Sequence, residues 1–174
     1  LVTGAASGIG AAVAARYQAA GAEVILSDIH DELTVDIGSS NYIKLDVADE
    51  ECHKAAAKAI APGKLDILVN NAGVAFDEGL LESSNLDLFR KTIEINLMGV
   101  AFALKHLAPC VGDGGSIINT ASAAASSGIP GYGSYAASKA GVVGLSRVAA
   151  MELGARGICV NAICPGTVAT PMEP

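Results

Sequence analysis

Thr3-Gly4-Ala5-Ala6-Ser7-Gly8-Ile9-Gly10 is the stretch whose reading decides the fold of this chain. Before it, Leu1-Val2-Thr3 has the apolar, β-branched character of a strand end. After it, Ala11 to Ala20 is alanine-rich, with Ile9, Val13 and Tyr17 at helical spacing and Gly21 as a stop. The local order is strand, glycine turn, helix.

Outward from there the alternation repeats. Glu23 to Ser27 (EVILS) is a β-branched run ending at Asp28, and Tyr42 to Leu45 is another, ending at Asp46. Asp49 to Ile60 is Ala- and Lys-rich and predicts a helix stopped by Pro62-Gly63. Asp66 to Val69 reads as a buried strand followed by Asn70-Asn71-Ala72-Gly73, and Ser84 or Asn85 can cap a long helix reaching about Leu107, with Pro109 beyond it. Gly115 to Asn119 predicts a strand, Tyr135 to Leu153 a helix and Gly157 to Ile163 a last strand. Short apolar strands separated by helices give a parallel sheet covered on both faces, so the fold class is doubly wound α/β.

Composition narrows the partners. The 174 residues fit one domain spanning 1–174, with 51% apolar residues, 20 Gly, no Trp and a core of small and aliphatic side chains. Eleven basic against 18 acidic residues give a net charge of −7, and no Lys/Arg cluster is present, which excludes nucleic acid as a partner. The longest uncharged run, Gly114 to Ser138, is rich in Gly, Ser, Ala and Pro, so no membrane span is expected. No secretory signal opens the chain. Cys52, Cys110, Cys159 and Cys164 form no CxxC pair and have no His at ligand spacing, so no metal is expected, and free thiols in a reducing, cytoplasmic compartment are. His30, His53 and His106 read as surface or structural. The chain opens on Leu rather than Met and stops at Pro174 without a closing element, so a piece of a longer protein is expected.

Three glycines between a strand and a helix allow backbone amides to approach a pyrophosphate at the helix N-terminus; the competing reading is a plain structural turn. Asp28 favours the first. It ends the second strand 18 residues after Gly10, close to where an acid would hold adenosine ribose hydroxyls. A carboxylate there repels a 2′-phosphate, and neither Ser7 nor Asp28-Ile29-His30 supplies an Arg or Lys to neutralise one, so NAD is preferred over NADP.

The spacing TGxxxGIG, carried by Thr3, Gly4, Ser7, Gly8, Ile9 and Gly10, resembles the short-chain dehydrogenase/reductase family over nearly the whole chain, Thr3 to Thr170. The resemblance implies a Rossmann-type fold and further cofactor contacts. These fall on Asn71, Ala72 and Gly73 after the fourth strand, on Asp46-Val47 at the adenine, and on Pro165, Gly166, Val168 and Thr170 beside the nicotinamide carboxamide.

Tyr135 and Lys139 are four apart at the start of a helix and share one face. An ammonium beside a phenol favours the phenolate. Such a pair arises easily by chance in a chain of this length, so its position after the fifth strand must carry the weight. Ser122 ends that strand, 13 residues before Tyr135, and matches the family's spacing. Tyr132 has Ala136 four residues on and is left to loop packing or substrate contact. By the resemblance, Tyr135 is the general acid and base, Ser122 polarises the substrate oxygen, and Lys139 supports the phenol and holds the nicotinamide ribose. Asn96 matches a fourth catalytic position that anchors a water in a proton relay; its plainer reading is a polar residue that kinks the long helix.

The implied reaction is hydride transfer between NAD(H) and a small-molecule secondary alcohol or ketone, in a homodimer or homotetramer paired through the long helices. Runner-up readings are a 3-oxoacyl-thioester reductase of the same family and a catalytically inactive dinucleotide-binding fragment or sensor. Sugar epimerases and dehydratases share the Tyr–Lys pair but lack TGxxxGIG together with NNAG. The stretch between Asp28 and Asp46 is short for a crossover helix.

Overall fold

A computed structural model describes residues 1–31 and 41–172. Six parallel strands form one sheet in the order β3-β2-β1-β4-β5-β6, where β1 is Val2–Thr3, β2 Ile25–Asp28, β3 Asn41–Lys44, β4 Leu65–Asn70, β5 Val111–Thr120 and β6 Cys159–Ile163. The order reverses between β1 and β4, which opens a crevice at the carboxyl ends of these strands.

Alternating side chains send β-strand neighbours to opposite faces. Leu1, Leu68 and Ile117 pack on one face with residues of helices α2 (Glu50–Ile60), α4 (Gly99–His106) and α6 (Gly133–Leu153). Val2, Val69 and Leu26 pack on the other with Ala14 of helix α1 (Gly8–Ala19). Leu68, Leu107 and Ile117 are fully buried, and burying a side chain of this size contributes about 1.5–3 kcal/mol each.

The expected long helix forms, capped by the Asn85 carboxamide, which accepts from the Asp87 and Leu88 N–H groups. It is not uniform. It comprises α3 (Leu86–Ile93), a π-helical segment (Glu94–Met98) and α4. The extra residue per turn is centred on buried Asn96, so the distortion expected of a polar residue takes the form of a π-bulge. Helix α1 starts at Gly8 rather than Ala11, because Gly8 and Gly10 already belong to its first turn. Strand β5 begins four residues earlier than expected, at Val111. A short helix α5 (Ala124–Ser127) and a 3₁₀ turn at Leu81–Ser83 carry no periodicity that the sequence could reveal. The expectation of a shortened crossover between Asp28 and Asp46 falls mainly on residues 32–40, outside the described residues. No helix among the described residues is long and apolar enough to cross a membrane.

Candidate active site

Every strand delivers its last residues, or those just after, to one open cleft of about 310 Å³ above the carboxyl edge of the sheet. After β1 comes the glycine turn, with Gly4 and Gly8 at φ +66° and +54°, a region that disfavours side chains. A Cβ on Gly4 would stand 2.8 Å from the Ala72 Cα, so only glycine lets the turn approach the Asn71-Ala72 backbone. Gly10 is tighter still: a Cβ there would lie 2.0 Å from the Gly4 carbonyl oxygen and 2.6 Å from the Asn71 Nδ2. Gly10 therefore does not line the cleft; it closes helix α1 onto β1 beneath it. Ser7 precedes α1 without using its hydroxyl as a cap, and Ser7, Gly8 and Ile9 face the cleft at the positive end of the helix.

Asn71 staples this turn. Its Nδ2 donates to the Thr3 and Gly4 carbonyls at 3.1 and 3.4 Å, its backbone N–H donates to the Thr3 hydroxyl at 3.0 Å, and Thr120 Oγ1 donates to its Oδ1 at 3.4 Å. Thr3 and Thr120 thus support the site, although only the first lies in a quoted motif. Asp28 also braces the turn: its carboxylate accepts from the Ala6 N–H at 2.9 Å and the Ile29 N–H at 2.8 Å. Those bonds occupy two of roughly four acceptor positions on the carboxylate. The strand-end turn role and a hydroxyl-binding role are therefore compatible, and Asp28 lines the cleft.

Asp46 and Val47 line the same end. Asp46 Oδ1 accepts from the Ala48 N–H at 2.9 Å, and the Val47 carbonyl accepts from His53 Nε2 at 3.0 Å. Gly99 lets the π-bulged helix approach, since a Cβ there would be 3.0 Å from the Val47 oxygen. His53 is fully buried, and desolvation lowers its pKa. It is structural, beneath the cleft rather than in it.

The opposite wall comes from β5 and α6. Ser122, half-buried, accepts from the Ala124 N–H at 3.2 Å. Lys139 is buried, its Nζ donates to the Thr120 carbonyl at 2.8 Å, and it stands 5.7 Å from the centre of the Tyr135 ring. Burial pushes the Lys139 ammonium down to about 8. Ser122, Tyr135 and Lys139 all line the cleft, as do Ala72, Gly73, Pro165, Gly166, Val168 and Thr170.

Asn96 does not line it. Its carboxamide is bonded to the Val74 backbone in both directions at 2.8 Å, accepting from N–H and donating to C=O, and donates to Ser138 Oγ at 3.2 Å. Asn96 nevertheless lies next to the site: a Cβ on Gly73 would meet its Oδ1 at 3.0 Å and the Lys139 Nζ at 3.3 Å. Ile29, Leu45, Val74, Ile95, Thr120, Ala121, Pro171 and Met172 also line the cleft, outside the positions expected from the sequence. Adjacency to a quoted motif is the signal that could have found the first four.

Backbone amides at a helix N-terminus, glycine turns that a Cβ would block and a carboxylate at the end of β2 together fit a dinucleotide. The Tyr135 phenol, the Lys139 amine and the Ser122 hydroxyl line the other end together. No group of three His, Cys, Asp or Glu side chains placed to hold a metal occurs among the described residues.

A family profile described as enoyl-(acyl carrier protein) reductase matches residues 4–174. Borneol dehydrogenase from Lavandula x intermedia is 42% identical over 99% of this chain and 70% of its own length. The NAD(+)-named 2-dehydro-3-deoxy-L-rhamnonate dehydrogenase of a Sphingomonas strain is 37% identical over 99% of this chain and 72% of its own. Among solved structures, ligand-free aldohexose dehydrogenase of Thermoplasma acidophilum superposes with a TM-score of 0.88 at 33% identity, covering 98% of this chain and 67% of that one.

Proposed function

Because the chain belongs to the short-chain dehydrogenase/reductase family, we propose that it moves a hydride between NAD(H) and a secondary alcohol or the corresponding ketone. The observation that carries this reading is the convergence of Ser122, Tyr135 and Lys139 on the cleft that the glycine turn and Asp28 also line. Relatives named as dehydrogenases of borneol and of a sugar acid support an oxidoreductase acting on CH–OH groups.

In this reading Gly4, Ser7, Gly8 and Ile9 hold the pyrophosphate, Asp28 the adenosine ribose, Asp46 and Val47 the adenine. Asn71, Ala72 and Gly73 floor the middle of the site, and Pro165, Gly166, Val168 and Thr170 border the nicotinamide. When bound, the dinucleotide supplies the hydride acceptor or donor. Tyr135 Oη takes the substrate hydroxyl proton during oxidation and returns it during reduction. Ser122 Oγ hydrogen-bonds the substrate oxygen and keeps it in reach of that phenol. Lys139 stabilises the phenolate and bonds the nicotinamide ribose. For Asn96 the resemblance supports the water-anchoring position, while its own side-chain bonds fix Val74 and Ser138.

What supports NAD over NADP is Asp28, whose carboxylate would face a 2′-phosphate. A panel of secondary alcohols, with borneol and sugar polyols among them, should yield absorbance at the reduced-nicotinamide band with NAD. Efficiency with NAD should exceed that with NADP by about tenfold or more, from like-charge repulsion. No turnover on any member would reject the oxidoreductase reading, and preference for NADP would reject the role of Asp28. A second reading, reduction of a 3-oxoacyl thioester, is favoured by the acyl-carrier substrate in the description of the matching profile; a 3-oxoacyl thioester with NADPH in the same panel discriminates it. We also propose pairing into a homodimer or homotetramer through α3 and α6, where Leu86, Val148 and Met151 are exposed. Sedimentation as a monomer alone would reject that pairing.

A further inference from the structure

The helix that carries Tyr135 and Lys139 begins without a cap of its own. Tyr132, which precedes α6, makes no side-chain capping bond, although the first N–H groups of a helix need acceptors. An acceptor arrives from 56 residues away. Glu78 Oε1 accepts from the Ser134 N–H at 2.6 Å, and its Oε2 accepts from the Ser134 hydroxyl. Both residues are buried, Glu78 at 3% exposure and Ser134 at 0%. A buried carboxylate is costly unless it is hydrogen-bonded, and here it also faces the positive end of the helix dipole.

The contact is built from both sides. The Glu78 N–H donates to the Gly131 carbonyl at 3.0 Å, and the Glu78 carbonyl accepts from the Asn85 N–H at 2.8 Å. A Cβ on Gly133 would lie 3.1 Å from Glu78 Oε1 and 2.6 Å from Leu81 Cδ2, so a glycine is what lets the loop close on the helix start. At its other end the same loop is held by Asn96 on Val74. Asn96 also reaches Ser138 Oγ, which donates to the Tyr135 carbonyl at 2.8 Å. The turn from Ser134 to Ser138 is thus gripped at two points, and Tyr135 belongs to it.

We infer that Glu78 is a positioning residue for Tyr135: by capping α6 from the loop after β4, it fixes the height of the phenol in the cleft. Glu78 does not itself line the cleft, so it acts through Ser134 and not on the reactants. The inference rests on the oxidoreductase reading for its kinetic consequence, and on geometry alone for the cap.

The test compares wild type, Glu78→Gln and Glu78→Ala in two measurements. Amide hydrogen exchange on the cofactor-free proteins should show the Ser134–Tyr135 amides exchanging at least about tenfold faster in Glu78→Ala, because a buried hydrogen bond of the first turn is lost. With the best alcohol of the panel, kcat of Glu78→Ala should fall about 100-fold while KM for NAD stays within about threefold, as expected for a misplaced catalytic group. Glu78→Gln keeps an acceptor for the Ser134 N–H and should remain within about threefold of wild type. Should Glu78→Ala not fold, Glu78→Asp, one methylene too short, takes its place with the same expectations. Unchanged exchange would overturn the cap. Unchanged kcat, or equal losses in kcat and in affinity for NAD, would overturn the positioning role. A wild type inert on every alcohol would reject the oxidoreductase reading, and the exchange measurement would still decide the cap.

Discussion

The wall of the cleft formed by Gly4 and Gly8, with Gly10 packed beneath them, is made of backbone, and its fit depends on side chains being absent. The facing wall, from Ser122 to Lys139, is made of side chains held by groups distant in sequence: Thr120 for Lys139, and Asn96 and Glu78 for the turn that contains Tyr135. One wall tolerates almost no added atom, whereas the other depends on particular polar partners. In the reading proposed above, the first binds the cofactor and the second moves a proton at a fixed point.

If the walls are separable in this way, Tyr135→Phe should show the largest effect on turnover. Loss of a general acid/base is worth typically about 10²–10⁴-fold, and the isosteric ring should leave NADH affinity, read by fluorescence titration, near wild type. Retained turnover would reject the assigned acid/base. Gly10→Ala should act on the other wall. Its Cβ would stand 2.0 Å from the Gly4 oxygen, a backbone atom that cannot swing away. Denaturant unfolding should show a loss of about 3 kcal/mol, as for overpacking, with NADH binding lost alongside it.

Lys139→Met sharpens the contrast through its sign. In the cofactor-free protein burial holds the Lys139 pKa at about 8, against 10.5 for an ordinary lysine. A lysine with a lowered pKa loses its proton in the folded state first, so from about pH 8 to 10.5 the unfolded chain binds more protons and folding stability contributed by this group rises. On that direction of shift, the charge on Lys139 should lower the stability of the folded protein at neutral pH. Lys139→Met should be more stable than wild type at pH 7, with the gap narrowing toward pH 10, and inactive throughout. A gap independent of pH would show that the buried ammonium is not the cause. The smallest effect belongs to Gly144→Ala on α6, where an added Cβ meets nothing within 4 Å. Within one protomer, relief of a helical glycine should stabilise the fold by about 0.5–1 kcal/mol; Gly144 is exposed one turn before Val148 on the face proposed to pair, so sedimentation is read beside the unfolding curve.

The same contrast explains how much was legible in the sequence. Glycine turns are constraints on one residue and its neighbours, so Gly4, Gly8 and Gly10 announce the first wall, and the ends of apolar runs announce the positions of Asp28 and Ser122. Strand alternation then gives the doubly wound sheet. Element ends shift by a few residues because caps and turns decide them: Gly8 starts α1 earlier than the alanine run, and α6 starts at Gly133. The supports of the second wall are long-range. Nothing local marks Glu78 as the partner of Ser134, nor Asn96 as a clamp on Val74 within a π-bulge, because both contacts exist only once β4, the long helix and α6 are assembled. Gly10 shows the same limit on the first wall, since its place beneath the cleft and not in it follows from packing alone.

The central claim is tested most directly by following the transferred hydrogen. The best secondary alcohol of the panel, carrying deuterium on its carbinol carbon, is incubated with NAD and the protein, and the reduced cofactor is weighed by mass spectrometry. A gain of one mass unit in the reduced cofactor, formed about 10²–10⁴-fold more slowly by Tyr135→Phe, is the predicted result. A reduced cofactor that gains no mass, or one that Tyr135→Phe forms at the wild-type rate, would contradict the account.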